Sequence, residues 1–378
     1  MTTAISESID ITLPAPSPTC QYIYGIIPTA DPVVFDIGGV DDADDVYTVC
    51  GDGLSVVISD IGASDFQGMD RQEAVRRLTA HQRVVETVMR DYPILPVKFG
   101  TILPAQARAD DLLAQGAEMF GQALAHFAGK IQVEVVVLWE LPKVFGTIAA
   151  EPAIVELKAR IGSRPAEETM FDRVALGQAV QASLGRRRAA LGKQVIEMFA
   201  DLALDVVVNP MMDDSMVINL AMLLRAAQRP ELDARLQRLD EALEGQFQIR
   251  CVGPLPPYSF ATVAIRGLSF ESVDSARRLL GLGPLATAGE IKHAYRAHAA
   301  NAHPDHNQGD ADAEARMAAL TQAYRLLSAY AESQAARVAG ERQRRPGVDL
   351  LCRFSREAVE RALLIGISRQ DAGQELAA

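Results

Sequence analysis

The residue pattern of this chain changes near Gly267, and the change limits the folds that the chain can adopt. Before it, between residues 20 and 266, β-rich apolar runs alternate with stretches of helical spacing; after it, Ala, Arg and Leu dominate and strand patterns cease. Alternating strands and helices are typical of α+β domains, and helical spacing alone is typical of a helical domain. Because 378 residues suffice for two or three domains, we expect α+β domains followed by a helical one.

The first α+β domain is predicted at residues 20–141, behind a flexible leader at 1–19 that is rich in Ser, Thr and Pro. Two β-rich runs flank Gly51-Asp52-Gly53 and indicate a hairpin, and Asp70 is a candidate N-cap for the helix that follows. The predicted strands are 22–27, 46–50, 54–58, 94–99 and 131–141, and the predicted helices are 70–90 and 104–127.

The second α+β domain is predicted at residues 142–268. Its predicted helices are 151–161, 166–204 and 231–244, and its predicted strands are 205–208, 215–223, 247–252 and 259–265. The segment Gly253-Pro254-Leu255-Pro256-Pro257-Tyr258 lies between the last two strands. Its three prolines remove three donors from a β-ladder, so we expect a stiff, extended connection here.

The helical region is predicted to form a domain at residues 269–335, with helices at 274–280, 288–300 and 313–335. A Gly-Leu-Gly-Pro segment at 281–284 separates the first two helices, and His303-Pro304-Asp305-His306 separates the last two. Residues 336–378 are expected to comprise a basic spacer and a C-terminal amphipathic helix from Val348 to about Ile367.

Acidic charge is concentrated near the amino terminus. Residues 1–70 contain 12 acidic residues and neither Lys nor Arg, so they carry the whole net charge of −12. Such a lobe argues against nucleic acid or an anionic membrane as its partner. Within it, the cluster Asp41, Asp42, Asp44 and Asp45 lacks the spacing of an EF-hand. We expect the cluster either to keep the protein soluble or to attract a basic segment of a partner.

Motifs for catalysis are missing from the sequence. It contains no GxSxG, P-loop or HExxH motif, and its four cysteines lie far apart without a CxxC pair. His81 and His126 each stand alone on a predicted helix, and Trp139 is expected in a core. Apolar runs are far shorter than the roughly 20 residues of a membrane helix, and no signal-peptide pattern is present. We therefore expect a cytoplasmic, non-enzymatic protein without a metal or cofactor.

Four of the six histidines fall between residues 293 and 306, with spacing that is poor for metal ligation. Four elements resemble the J-domain of DnaJ-type co-chaperones over about residues 272–332: Ala276 to Leu282, Glu290 to Arg296, His303-Pro304-Asp305 and Ala323 to Ser328. The resemblance implies that His303, Pro304 and Asp305 engage a DnaK-type ATPase and stimulate ATP hydrolysis. It also implies that Lys292 and Arg296, on the preceding helix, contribute to this contact.

The basic face of that helix is weaker than the family pattern. Glu290 offsets part of the charge of Lys292 and Arg296, and alanines occupy positions where bases are common in the family. Two interpretations follow: a J-domain that docks on its chaperone more slowly or weakly, and a helical tail that keeps only the fold.

Residues 20–266 carry a second resemblance, to the GvpL/GvpF family of gas vesicle proteins. The residues that carry it are Tyr24-Gly25, Pro96, Phe99-Gly100, Val133 to Trp139, and the string Gly253-Pro254-x-Pro256-Pro257-Tyr258-x-Phe260. The last string is the most specific. The resemblance implies a two-domain α+β protein whose first domain has a modified ferredoxin-like fold. It also implies a non-enzymatic accessory component of gas vesicle formation that associates with the hydrophobic shell protein.

Taken together, the two resemblances indicate an assembly factor of the cytoplasm and the gas vesicle. Its expected partners are the gas vesicle shell protein, other gas vesicle accessory proteins and a DnaK-type chaperone. A shell subunit with exposed apolar surface is prone to aggregate before assembly, so a binding protein that recruits a chaperone would hold it in solution. The alternative is a general J-domain co-chaperone whose amino-terminal region binds varied clients. Neither nucleic acid nor a membrane is expected as a partner.

Overall fold

The computed structural model describes residues 19–41, 45–62, 68–103, 108–162, 164–243, 247–302, 312–341 and 350–369. They form two compact units. Unit 1 comprises the described residues up to Val84, then Val97–Glu118 and Ile265–Ile365. Unit 2 comprises Val85–Pro96, Met119–Ala264 and the described residues from Gly366 onward. Unit 1 thus joins parts of the amino-terminal region to the helical region near the carboxyl end.

The sheet of unit 1 includes four antiparallel strands in the order β2-β3-β4-β1. These are β1 (Thr19–Ile27), β2 (Val34–Gly38), β3 (Asp45–Gly51) and β4 (Leu54–Gly62). The predicted hairpin is confirmed: β3 and β4 are joined by Asp52 and Gly53, both with positive φ, a backbone that an Asp-Gly pair tolerates. Strand β2 lies in a segment for which no strand was predicted, and it pairs with β3.

Two helices and a short strand follow the hairpin: α1 (Arg71–Met89), β5 (Leu95–Pro96) and α2 (Ala109–Phe127). Helix α1 begins where its N-cap was predicted, since the Asp70 carboxylate accepts a hydrogen bond from the Glu73 N–H at 2.8 Å. Residues 97–103 return alongside β1, and the Val97 N–H donates to the Tyr24 carbonyl at 3.0 Å. This return brings the Phe99-Gly100 segment next to the first strand.

Unit 2 is built on a four-stranded antiparallel sheet in the order β7-β8-β6-β9. Its strands are β6 (Lys130–Trp139), β7 (Asp205–Val208), β8 (Met216–Arg225) and β9 (Phe247–Leu255). The boundary predicted at residue 141 assigned β6 to the first domain, yet β6 pairs with β8 and β9. The reason is burial, because Val133, Val135 and Val137 of β6 are fully buried in the same core as β8.

Four helices complete unit 2: α3 (Leu141–Ala149), α4 (Pro152–Ile161), α5 (Met170–Phe199) and α6 (Arg229–Ala242). Ile148, Ile154, Phe199 and Leu232 bring one residue from each helix into the core of the sheet. No helix was predicted over the residues of α3, which contain Pro142 in the first turn. A proline in the first helical turn loses no hydrogen bond, since that N–H would have no intrahelical partner.

The proline-rich segment at residues 253–258 differs from the prediction. Strand β9 continues through Pro254, which follows a cis peptide bond, and ends at Leu255. Residues 256–261 then form a tight turn rather than an extended connection, and strand β10 (Thr262–Gly267) follows. The Pro257 carbonyl accepts hydrogen bonds from the N–H groups of Phe260 and Ala261, at 3.0 and 2.7 Å. Proline removes a donor, but its carbonyl still accepts, and this permits the turn.

The three predicted helices of the carboxyl-terminal region are present as α7 (Phe270–Leu279), α8 (Ala288–Ala302) and α9 (Ala313–Glu341). Their shared core includes Val273, Ile291, Leu327 and Tyr330, all fully buried. Helix α9 extends through Glu341, into the stretch predicted as a basic spacer. A short strand, β11 (Leu285–Thr287), lies between α7 and α8, where no strand was expected.

The predicted C-terminal amphipathic helix is wrong. Residues 350–369, here called the C-terminal clip, contain β12 (Leu351–Arg353), the single-turn α10 (Arg356–Glu360) and β13 (Leu363–Ser368). Strand β12 pairs with β11, and β13 pairs with β10. Cys352, Phe354 and Val359 are buried in the core of the helical region. This burial and pairing outweigh a spacing of apolar residues that is compatible with a helix.

The clip also contacts α2 within unit 1. The Arg361 guanidinium lies 2.8 Å from the Asp111 carboxylate, and the Leu363 N–H donates to Gln115 Oε1 at 3.2 Å. On its other side, Gln334 of α9 donates to the Ala358 carbonyl at 3.3 Å. The clip therefore fastens the helical region to α2.

Candidate interaction sites

Three residues of the GvpL/GvpF-like motifs, Tyr24, Phe99 and Gly100, meet at a buried histidine in unit 1. Tyr24 of β1 stacks on His81 of α1 with ring centroids 5.6 Å apart, and Phe99 meets the same imidazole edge-on at 5.8 Å. Tyr22 places its hydroxyl 2.9 Å from His81 Nδ1 and accepts a hydrogen bond from the Gly100 N–H at 3.1 Å. These motif residues build a packed aromatic cluster inside the unit.

Burial determines the charge of His81. Desolvation lowers the pKa of its imidazole from 6.5 to about 4, so the ring is neutral at pH 7. The Tyr24 hydroxyl accepts a hydrogen bond from the Val40 N–H at 2.9 Å and shares another with Ser59 Oγ at 2.9 Å. The hydroxyls of Tyr22 and Tyr24 are thus both hydrogen-bonded inside the cluster, which gives this motif a packing role.

The two remaining motif residues of the first region, Gly25 and Pro96, lie in strands. Gly25 follows an irregularity in the register between β1 and β4. Pro96 is buried in β5. By contrast His126, on α2, is exposed.

The Gly253–Phe260 motif is held by Gln132, a fully buried residue of β6 that sequence reasoning missed. Its Oε1 accepts the Ser259 N–H at 2.8 Å, and its Nε2 donates to Ser259 Oγ at 3.1 Å and to Glu134 Oε1 at 2.9 Å. A Cβ on Gly253, whose φ is +137°, would lie 2.9 Å from the Gln132 backbone oxygen. Glycine is therefore required here. The available signal was weak, because Gln132 is one of three polar residues, with Lys130 and Glu134, in the first half of β6.

Most of this motif is buried. Pro256 and Pro257 are buried, Phe260 packs against Val207 and Leu223, and Pro254 is exposed on the edge strand β9. Tyr258 is mostly buried, and this desolvation raises the pKa of its phenol. The motif is therefore a structural signature of the second sheet.

The acidic cluster is only partly a free surface. Asp41 forms an ion pair with the buried Arg77 of α1 at 3.1 Å, and Arg77 also contacts Glu73 at 2.6 Å. Asp45 is exposed at the start of β3, and Asp42 and Asp44 lie outside the described residues. Asp41 therefore neutralises a buried arginine.

Helix α8 presents the predicted basic residues to solvent. Lys292 and Arg296 are exposed and four residues apart, so they share one face of the helix. Glu290, whose negative charge opposes these two bases, caps the start of the helix. Its carboxylate accepts a hydrogen bond from the Thr287 N–H at 2.8 Å, and its own N–H donates to Thr287 Oγ1 at 3.2 Å. This capping box leaves a basic face further along the helix.

The predicted contact triplet falls in the sequence between α8 and α9. His303, Pro304 and Asp305 lie outside the described residues. The helices on either side are packed together, with Tyr295 of α8 stacked on Tyr324 of α9 at 4.5 Å between ring centroids. Ala302, at the end of α8, and Ala313, at the start of α9, are both buried. The described residues on either side of the triplet are therefore held in buried positions.

Two other kinds of site are not found among the described residues. No group of three or more His, Cys, Asp or Glu side chains in the described ranges is placed to hold a metal ion. Among the helices in those ranges, none combines the length and the apolar character required to cross a membrane. Trp139 is buried in the core of unit 2, as predicted, and its Nε1 donates to the Asp214 carbonyl at 2.7 Å.

The fold and these motifs define a class: an α+β protein with a J-type helical module near its carboxyl end. The sequence profile of the family described as gas vesicle synthesis protein GvpL/GvpF matches residues 21–262, and the DnaJ domain profile matches residues 278–335. The chain belongs to the GvpL/GvpF family and carries a DnaJ domain, so both resemblances seen in the sequence are confirmed.

Similar proteins cover the same region. Gas vesicle protein L1 of Halobacterium salinarum is 28% identical over 254 residues, which span 64% of this chain and 90% of that protein. Gas vesicle protein F of Microcystis aeruginosa is 24% identical over 249 residues, or 64% of this chain and 97% of that protein. The crystal structure of GvpF from Anabaena sp. PCC7120 matches with a TM-score of 0.53 at 20% identity, covering 64% of this chain and 97% of that one. This likeness confirms the predicted α+β fold.

Proposed function

We propose that this protein is a non-enzymatic assembly factor of gas vesicles. In this proposal, the GvpL/GvpF region binds the hydrophobic shell protein and other gas vesicle accessory proteins, and the DnaJ domain recruits a DnaK-type chaperone. The protein acts in the cytoplasm and at the forming vesicle. The observation that carries the proposal is the presence of both modules on one chain, at residues 21–262 and 278–335.

A physical argument links the two modules. A shell subunit that faces gas must expose apolar surface, and such surface aggregates in water before assembly. Without a chaperone, a protein that binds the shell subunit tightly would also release it slowly, because release would depend only on the affinity between the two. Recruitment of an ATPase adds a release step that is driven by ATP hydrolysis, so tight holding and timely delivery become compatible.

The C-terminal clip supports a coupling between the modules. Arg361 and Leu363 bind α2, while Cys352 and Val359 are buried in the helical core. Such a connection holds the DnaJ domain against part of the GvpL/GvpF region, in contrast to a flexible linker. A chaperone bound to this DnaJ domain would therefore be delivered close to the client.

The basic face of α8 supports a working chaperone contact over a helical tail that keeps only the fold. Lys292 and Arg296 are exposed on one face, and the opposing charge of Glu290 is engaged in the capping box. Two exposed bases give modest electrostatic steering toward an acidic surface, so association is expected to be salt-dependent.

The chaperone contact is tested by the ATPase activity of a purified DnaK-type protein. The wild-type chain should stimulate ATP hydrolysis, and His303→Gln should abolish the stimulation. The matched control is His126→Gln, the same exchange at an exposed residue of α2, which should behave as wild type. Equal stimulation by wild type and His303→Gln would refute the contact. Arg296→Glu should weaken stimulation more at low salt than Arg325→Glu, which reverses an exposed charge on α9.

The gas vesicle role is tested in cells. Deletion of the gene should abolish or reduce flotation, and complementation should restore it. A broad-client co-chaperone is the rival function, and a pull-down with the full chain separates the two. Enrichment of one shell protein supports the assembly factor, whereas many unrelated clients would support the rival.

The acidic segment has a proposed role as a partner surface. Replacing Asp42, Asp44 and Asp45 with Asn should weaken binding of a basic segment of the shell protein at low salt and have less effect at high salt. Unchanged affinity at low salt would assign these residues to solubility alone. Asp41 is left out of this variant because it pairs with the buried Arg77.

A further inference from the structure

An apolar groove lies in unit 2 between α5 and the hairpin formed by β7 and β8. It has a volume of about 920 Å³, which is within the usual range of ligand-binding clefts. One wall is α5, where Gly185, Ala189 and Gly192 all line the groove and recur at helical spacing. The opposite wall is apolar and includes Met211 and Val217.

A buried amide in the groove lacks a partner. Asn209 lines it and is only 9% exposed, and its side-chain Oδ1 has no hydrogen-bond partner in the structure. Its Nδ2 lies 3.4 Å from the Asn219 Oδ1, at the long end of hydrogen-bond distances. An unpaired buried carbonyl oxygen costs free energy, and a ligand that donates a hydrogen bond there would recover it.

The charges of the groove are internally compensated. Arg188 donates to the carbonyls of Met216 and Asp214, each at 3.0 Å, and lies 3.3 Å from the Asp214 carboxylate. Lys193 and Glu197, at the rim, lie 3.7 Å from each other. The groove therefore offers no uncompensated charge, and the complementary occupant is an uncharged apolar segment.

The shape of the groove favours a helix over a strand. Small residues on α5 allow the backbone of a second helix to approach closely. From Gly185 to Ile196, α5 rises roughly 17 Å, about three helical turns. Addition of a strand to the free edge of β7 is hindered, because Arg369 already donates to the Val206 carbonyl at 3.0 Å.

We propose that the groove between α5 and the β7–β8 hairpin binds an uncharged, apolar helix of about three turns, with a donor opposite Asn209, from the gas vesicle shell protein. This assignment rests on the proposed function and gives it a location. The exposed Met211 at the rim would adapt to the occupant, because methionine is flexible and polarisable.

The test fills the groove and compares the result with a matched change on the same helix. Gly185→Leu places a side chain in the groove, whereas Gly177→Leu places the same side chain on α5 away from it; neither glycine has a neighbour within 4 Å of an added Cβ. Met211→Asp is a second variant, at a residue that is 49% exposed, so its fold is retained. Circular dichroism checks the fold of all three full-length variants.

The readout is capture of detergent-solubilised gas vesicle shell protein by the immobilised full chain. Wild type and Gly177→Leu should bind equally, and Gly185→Leu and Met211→Asp should each bind about tenfold more weakly. Binding by Gly185→Leu and Met211→Asp within twofold of the control would overturn the groove assignment alone. If wild type captured no shell protein, the proposed function would fail and the assignment with it. If wild type and Gly177→Leu formed concentration-dependent dimers and the two groove variants did not, the groove would bind a second copy of the chain. That result would overturn the proposal.

Discussion

Replacement of Gln132 by leucine should destabilise unit 2 without changing its core volume much. Leucine fills similar space but cannot accept the Ser259 N–H or donate to Ser259 Oγ and Glu134. Each lost hydrogen bond costs roughly 1 kcal/mol, and a buried N–H left without a partner costs about 1–3 kcal/mol. We therefore expect the free energy of unfolding of unit 2 to fall by about 3–4 kcal/mol.

Trp139 makes this measurement specific. It is the only tryptophan in the chain, lies on the same strand as Gln132 and is buried in the core of unit 2. Its fluorescence during urea titration therefore reports unfolding of that unit. With a urea dependence of about 2 kcal/mol per molar, the midpoint should fall by roughly 1.5–2 M.

The matched control is Gln248→Leu, in the neighbouring strand β9, where the glutamine is exposed. Its unfolding free energy should stay within about 0.5 kcal/mol of wild type. A loss below about 1 kcal/mol for Gln132→Leu, or a loss equal to that of the control, would show that the Gly253–Phe260 motif does not depend on Gln132.

Three further predictions concern the glycine, the buried histidine and the clip. Gly253→Ala should cost about 2 kcal/mol or more by Trp139 fluorescence, because of the positive φ and the 2.9 Å approach, whereas Gly146→Ala, in an open helical position, should be neutral or stabilising. In the unfolded chain His81 binds a proton near pH 6.5, whereas in the folded protein it binds one only near pH 4. The free energy of unfolding of unit 1 should therefore fall by up to about 3 kcal/mol as the pH falls between these values. His81→Gln should flatten this pH dependence, as measured by hydrogen exchange of the β1 amides; an unchanged slope would contradict a buried neutral imidazole. Val359→Ala in the clip should cost about 1–2.5 kcal/mol and increase hydrogen exchange in α9, and unchanged exchange there would mean that the clip does not brace the helical core.

The clip shows why a local pattern can mislead. Its apolar residues are spaced as in a helix, but Leu351–Arg353 pair with Leu285–Thr287, more than 60 residues earlier in the chain. Tyr330 of α9 also donates to the Arg353 carbonyl, a contact that a helix at this position would not make. Helical propensity differs by only about 1 kcal/mol between most residues, so partners of this kind decide the conformation.

Sites that depend on contacts distant in sequence were missed for the same reason. His81 stands alone in its predicted helix, and nothing near it in the sequence indicates that Tyr24 and Phe99 pack against it. Gln132 lies 127 residues from Ser259, and no spacing rule connects the two. The groove of Asn209 likewise forms only when α5 packs beside the β7–β8 hairpin.

Elements with local signals could be predicted from the sequence: the hairpin at Asp52 and Gly53, the helix capped by Asp70, and the long helices of the carboxyl-terminal region. Turn geometry, caps and helical spacing act over a few residues, so they can be read directly from the chain. The sequence motifs also identified both families. The sheet that contains β6, the fold of the clip and the set of polar groups that are buried together became clear only in three dimensions. Those outcomes depend on burial and pairing between distant segments, whose free energies exceed the local preferences.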